Sequence, residues 1–165
     1  MSIIELHTAL ELPYPEINYP NNIYDAKLLM NDYAGKVSET TSIFQFRYQS
    51  YIIYGVDKEI SKIFNEIAVT DMLHHELLAK AIVKLGGDPI ISGLGPFWNG
   101  SYVYYTRNLR KMLNDDIRDK QTLIRNYTKT AMCLTEKSVT ELINRIIQDE
   151  EIHIKCLKSI LEYIS

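Results

Sequence analysis

Proline occupies only positions 13, 15, 20, 89 and 96 of the 165-residue chain. Inside a helix, proline removes a backbone donor and its ring clashes with the preceding turn. Residues 21–86 and everything after 96 are therefore free to run as long helices. The punctuation inside those limits predicts four. The first runs from about Asn22 to about Tyr54 and stops at Gly55. The second follows Asp57, a residue type that caps helix starts, and ends after Leu85 at "GGDP", a glycine stop followed by proline. The third occupies about Tyr104 to Cys133, and the fourth follows Thr135, where "TEKS" approximates a cap, and lasts to the end.

The connections decide how these helices pack. Two are short, which makes their helices antiparallel neighbours. The third, "GGDPIISGLGPFWNGSYV" over residues 86–103, is too long for a tight hairpin and long enough to travel the length of a bundle. A pair, a long crossover and a second pair predict an all-α fold of the ferritin-like kind, a four-helix bundle with its crossover between helices 2 and 3. An array of identical helical hairpins is the alternative, and it would require a sequence repeat that the chain shows only in the motif described next.

Length and composition fit a single domain over residues 1–165 with an irregular segment at 1–20, since 46% of residues are hydrophobic and can build a core. A net charge of −3 offers no electrostatic case for nucleic acid or an anionic membrane. No apolar window approaches the roughly 20 residues that span a bilayer. The start, "MSIIELHTALELPYPEI", lacks the basic and apolar regions of a targeting segment, so a cytoplasmic location is expected. Cys133 and Cys156 are too few for a disulfide framework or a zinc site and read as small buried hydrophobes.

Steps of four and three along the second helix select Ile60, Phe64, Ile67, Asp71, His74, Leu78, Ala81 and Leu85. The same steps along the fourth select Val139, Ile143, Ile146, Glu150, His153, Leu157, Ile160 and Ile164. Both faces are apolar at their ends and broken only at the centre, each time by a carboxylate followed three residues later by histidine. Residues at that spacing point the same way. Buried without partners they would cost several kcal/mol each or neutralise by shifting their pKa values. A divalent metal resolves this by taking the carboxylate oxygens and the neutral imidazole together. Hydrogen-bonded acid–histidine pairs without metal are the alternative.

Such centres draw a lone carboxylate from each remaining helix. On the first helix Glu39 lies about midway, and Asp32 is the competitor, nearer the start and expected to be exposed. On the third helix the face reads Leu109, Leu113, Asp116, Lys120, Leu123 and Tyr127, so its centre carries a lysine.

The segments "YAGKVSE", "DMLHHELLAKAIVKLGGDP", "FWNGSYVYY" and "IIQDEEIHIK" resemble the ferritin-like di-metal carboxylate proteins of the rubrerythrin and manganese-catalase type, from about Pro13 onward. The resemblance implies a bundle that binds iron or manganese, one or two ions, and reacts with peroxide or dioxygen or stores iron. It assigns Glu39, Asp71, His74, Glu150 and His153 as metal ligands, with Asp71 one methylene short of the usual glutamate. It makes Asp149 the acid that orients a metal-bound histidine across the bundle. Lys120 stands where relatives have the fourth carboxylate. It is expected to pair with Glu39 or Glu150, in place of one ion or of the whole centre, and Asp116 is the nearest replacement acid.

The remaining aromatic and histidine positions read conservatively. Tyr33, Val37, Phe44, Tyr48 and Tyr51 follow helical spacing and, with Tyr127, suggest core packing. His75 is turned about 100° from His74 and reads as surface or supporting, not as a ligand. Two functions follow: an oxidoreductase using iron or manganese with peroxide or dioxygen, alone or as a homodimer, or a non-catalytic scaffold with a degenerate centre.

Overall fold

The computed structural model describes residues 7–18 and 21–165. Its elements are α1 (Ile23–Ala34), α2 (Glu39–Ile53), α3 (Lys58–Lys84), a 3-10 turn at Gly100–Tyr102, α4 (Leu109–Cys133) and α5 (Lys137–Tyr163). Among the described residues no strand forms beyond an isolated antiparallel bridge between Ser92 and Phe97. No described helix is long and apolar enough to cross a membrane. The expected irregular segment falls partly outside the described residues, and over 7–18 it contains neither helix nor strand.

Local chemistry sets the helix ends. The side chains of Asn22, Ser38, Asp57 and Asn108 each accept from a first-turn N–H of α1, α2, α3 and α4. The stop of α3 is the expected glycine cap. Gly86 adopts φ 87°, and the N–H groups of Gly86 and Gly87 donate to the Val83 and Ile82 carbonyls. Helix α5 has no side-chain cap of its own. Asp25 of α1 supplies one from across the bundle, accepting from the N–H groups of Thr135 at 3.1 Å and Glu136 at 2.9 Å.

Two element boundaries differ from expectation. The first helix is not continuous; it breaks at residues 35–38 into α1 and α2. The break persists because its freed carbonyls find donors, Thr40 Oγ1 to Tyr33 O and Thr41 Oγ1 to Lys36 O, each at 2.8 Å. Trp98 of the crossover donates its indole N–H to Thr41 Oγ1 at 2.9 Å and closes over the gap. The third helix begins at Leu109 and not near Tyr104. Asn108 caps it there, and the Tyr104 N–H is engaged by Gln45 Oε1 at 3.1 Å, so the crossover runs on to residue 108.

Buried apolar residues form two clusters. One joins Leu29 and Tyr33 of α1, Leu78 to Leu85 of α3, Leu123 and Tyr127 of α4, and Val139 to Ile146 of α5. The other joins Phe46 and Ile53 of α2, Ile60 to Ala68 of α3, Met112 and Leu113 of α4, and Leu157 and Ile160 of α5. The order in which each helix visits them gives its direction: α3 and α4 run from the second cluster to the first, while α1–α2 and α5 run the opposite way. Since α4 starts at the end where α3 started, the crossover must return along the bundle. The four legs thus form the ferritin-like bundle that the connections predict.

Two smaller expectations fail. Cys133, the last residue of α4, is exposed, whereas Cys156 is buried as expected. The aromatic stripe is core only in part: Tyr33 and Tyr127 are buried, but Phe44 and Tyr51 are 52% and 63% exposed. Phe44 instead stacks on Trp98, outside the bundle axis, with ring centroids 5.0 Å apart.

A candidate metal centre between the two apolar clusters

The polar interruptions of the helix faces meet in the layer between the clusters. Glu39, Asp71, His74, Glu150 and His153 are all fully buried there. One ligand atom from each of Glu39, Asp71, His74 and Glu150 lies within 4.8 Å of the others. The break in the first helix places Glu39 in this layer, as the first residue of α2. His74 Nδ1 sits 3.2 Å from Glu150 Oε1 and 3.5 Å from Glu39 Oε1. His153 Nδ1 lies 3.5 Å from both Asp71 Oδ1 and Glu150 Oε1. The two imidazoles face each other with centroids 6.1 Å apart.

A metal ion fits this donor set because several of its buried atoms lack other partners, although both Asp71 oxygens accept from Lys120 and Glu39 Oε1 accepts from Tyr127. Glu39 Oε2, Glu150 Oε1, His74 Nδ1 and His153 Nδ1 are buried without a hydrogen bond among the described residues. Their close approaches are misaligned for hydrogen bonding, the geometry of lone pairs aimed at a shared point.

Asp149 holds one of the imidazoles. Its Oδ2 lies 3.1 Å from His74 Nε2, which directs Nδ1 toward the cluster. The same carboxylate accepts from Leu10 N–H at 2.8 Å, Tyr14 OH at 2.5 Å and Arg145 Nη1 at 2.7 Å. Arg145 also donates to the Leu10 and Leu12 carbonyls and lies over the Tyr14 ring. The N-terminal segment is thereby clasped onto the outer side of the centre. Tyr14 escaped notice in the sequence because its partner lies more than 100 residues away. Arg145 stands four residues before Asp149, a spacing that could have flagged the pair, but its contacts to residues 10–14 could not be read. His153 has no matching support: Thr70 stands one residue before Asp71, as Asp149 does before Glu150, but it pairs with Thr8 at 2.8 Å.

Lys120 enters the same layer from α4. Its Nζ lies 2.8 and 2.9 Å from the two oxygens of Asp71 and 2.7 Å from Glu150 Oε2. The expected pairing with Glu150 is present, but the second partner is Asp71 and not Glu39. Glu39 instead accepts from Tyr127 OH. Ser42 Oγ donates to Asp71 Oδ2 at 2.5 Å.

The other candidates lie apart from the cluster. Asp116 accepts from Gln45 Nε2 at 2.7 Å and Gln49 Nε2 at 2.8 Å, which ties it to α2. Asp32, expected to be exposed, is fully buried because Thr130 of α4 covers it and donates at 2.5 Å. His75 stacks on Tyr33 with centroids 4.3 Å apart and points away from the cluster.

The electrostatics follow from burial and crowding. Burial, then the charges of Glu150 and Asp71, push Glu39 up to about 7. Burial opposes protonation of His74, but Glu39's charge and the Asp149 hydrogen bond outweigh it and raise His74 well above its ordinary value. Burial likewise works against the Lys120 ammonium, yet Asp71, Glu150 and Glu39 hold it above the usual lysine range. Glu150 is held well below the ordinary carboxylate range; burial opposes this, and the Lys120 and His153 charges prevail. Asp149 is also lowered, its hydrogen bonds from His74, Tyr14 and Arg145 overcoming desolvation.

A ferritin-like bundle in which one helix of each pair brings an acid and a histidine to one buried layer belongs to the ferritin-like di-metal carboxylate class. Within it, this chain is a member of the rubrerythrin family, whose model, described as Rubrerythrin, matches residues 38–161. No curated protein matches it in sequence. Among solved structures it resembles the manganese catalase KatB from Anabaena, with TM-score 0.84 and 17% identity over 94% of this chain and 79% of that one. It also resembles the bacterioferritin of Desulfovibrio desulfuricans, with TM-score 0.72 and 23% identity over 86% and 80% of the two chains. A third similar structure is the dodecameric thioferritin of Bacteroides fragilis, at TM-score 0.68 and 19% identity over 87% and 88%. At these identities the likeness establishes the fold.

Proposed function

We propose that this protein is a metal-binding oxidoreductase that uses iron or manganese with peroxide or dioxygen. The observation that carries the reading is the convergence of buried ligand atoms from Glu39, Asp71, His74 and Glu150, with His153 facing two of them. Glu39, His74, Glu150 and His153 each keep an atom without a hydrogen bond among the described residues. In this reading those five residues hold the metal, Asp149 orients His74, and Lys120 modulates the centre. The choice of metals is supported by the manganese catalase and the bacterioferritin diiron site among the similar structures. Bound iron or manganese would supply changes of oxidation state at this point.

The chain's own residues supply the remainder. Asp149 directs His74 Nδ1 inward, where it gives up its proton when an ion binds. Burial and the neighbouring acids raise the pKa of Glu39, which gives up its proton when a divalent ion binds there, and Tyr127 OH orients that carboxylate. The apolar clusters on either side exclude bulk water. A recess of about 20 Å³ between α2 and α4, lined by Ser42, Gln45, Asp116 and Lys120, has room for a water-sized molecule. The reading places the protein in the cytoplasm, as a single chain or a homodimer.

A scaffold role without chemistry is the second reading, favoured by Lys120, which compensates Asp71 and Glu150 without any ion. Protein purified from growth supplemented with iron and manganese separates the two. The oxidoreductase reading expects bound redox metal and peroxide consumption, both lost in His74→Ala. Wild-type protein that carries no metal and consumes no peroxide overturns it in favour of the scaffold.

A further inference from the structure

We propose that the centre takes one divalent ion, because the Lys120 ammonium permanently fills the second cation position. The inference rests on the metal-binding reading above and specifies its stoichiometry.

Position is the first argument. In a two-ion centre of this class two helices each supply a lone carboxylate and the other two each supply an acid and a histidine. Here α3 and α5 supply the acid–histidine pairs, α2 supplies Glu39, and Lys120 is what α4 contributes in place of the second lone carboxylate. Its Nζ lies within 2.9 Å of both Asp71 oxygens and 2.7 Å from Glu150 Oε2. A small divalent ion bound to those oxygens at about 2.0–2.2 Å would occupy nearly the same space as the ammonium. The four groups that converge within 4.8 Å, Glu39, Asp71, His74 and Glu150, lie around the other position.

Charge is the second. As metal ligands Glu39, Asp71 and Glu150 would be ionised and the histidines neutral, giving three negative charges against one positive charge on Lys120, while Asp149 is already paired with Arg145 at 2.7 Å. The two charges left over are neutralised by one divalent ion and exceeded by two. In a buried layer an excess of that size is costly.

Confinement is the third. Lys120 is 2% exposed, and its Nζ lies 5.5 Å from the Phe46 ring centroid, a cation–π contact that closes its outer side. Asp116, the other acid one turn away on α4, is occupied by Gln45 and Gln49 and offers the ammonium no alternative partner.

Manganese(II) titration of the full chain tests the proposal, read by metal per folded chain and by electron paramagnetic resonance. Wild type is expected to take one ion with the six-line signal of an isolated Mn(II). Lys120→Glu, which restores a carboxylate on α4, is expected to take two, with the signal broadened and reduced by coupling. Wild type that takes two coupled ions overturns the inference and leaves the metal-binding reading intact. A folded Lys120→Glu that still takes one ion also overturns it. Wild type that takes none overturns the metal-binding reading and the inference together. If Lys120→Glu fails to fold, the wild-type signal decides by itself: isolated and integrating to one ion, or coupled.

Discussion

Five buried carboxylates in this protein meet opposite fates, and their donors decide which. Asp149 has four donors and Glu150 has the Lys120 ammonium, and both are held down. Asp32, Asp116 and Glu39 lack a compensating positive charge of that kind, and burial raises each to about 7. Asp32 is the cleanest to test, since it stands apart from the ligand cluster, with one oxygen bonded to Thr130 and the other without a partner. Its folded pKa of about 7 exceeds the ordinary 3.8. Between those values the folded state binds the proton more tightly than the unfolded state does. Stability therefore falls as pH rises through that window, by on the order of 1.4 kcal/mol per pH unit for one such group. Asp32→Asn keeps the shape and the Thr130 bond but removes the titration. Thermal midpoints measured from pH 4 to pH 8 should decline less steeply in the variant, which should be the more stable protein at pH 8. Parallel profiles for the two proteins would show that Asp32 is not the titrating group. Asp71, His74, Glu150 and His153 were legible from helical spacing, because they interrupt apolar faces, and Glu39 from its depth along the first helix. Asp149 was legible only by resemblance. Asp25 and Tyr14 were not legible, because their roles depend on partners brought together by folding, whereas the i,i+4 spacing of Arg145 and Asp149 was a sign that went unused.

Among the elements, the break at residues 35–38 does the most to shape the centre, for it makes Glu39 the first residue of α2. Gly35 is required there by space and not by backbone angle, its φ being −75°. A Cβ at this position would lie 2.5 Å from the Asn31 carbonyl oxygen. The crossover also passes close by, since a Cβ on Gly93 would come within 2.9 Å of Gly35 Cα. Gly35→Ala should therefore cost about 1–3 kcal/mol, as overpacking typically does, and weaken metal binding through displacement of Glu39. Denaturant unfolding together with Mn(II) titration checks both. An alanine variant with wild-type stability and affinity would mean that the break does not depend on this approach. The break was hidden in the sequence because proline, the signal used to end helices, is absent from "YAGKVSE". Its glycine and the Ser38 cap were the available signs. The late start of α4 was hidden for a similar reason, as Asn108 is one of several residues able to cap and only Gln45, distant in sequence, holds Tyr104 outside the helix.

For the molecule as a whole, topology was the most legible property. Proline spacing and one long crossover suffice to make α3 and α4 parallel and to bring both acid–histidine pairs to the same depth. The partner of Lys120 was not legible, since helical spacing puts lysine, Glu39, Asp71 and Glu150 in one layer without saying which oxygens the ammonium reaches. That choice separates a centre with one metal ion from one with two or none. Anomalous scattering from crystals of the manganese-loaded protein, recorded on both sides of the manganese edge, tests it most directly. The account predicts one peak per chain within coordination distance of Glu39, His74 and Glu150, with Lys120 Nζ still bridging Asp71 and Glu150. Two peaks, a peak in the position of the ammonium, or none in the bundle would contradict it.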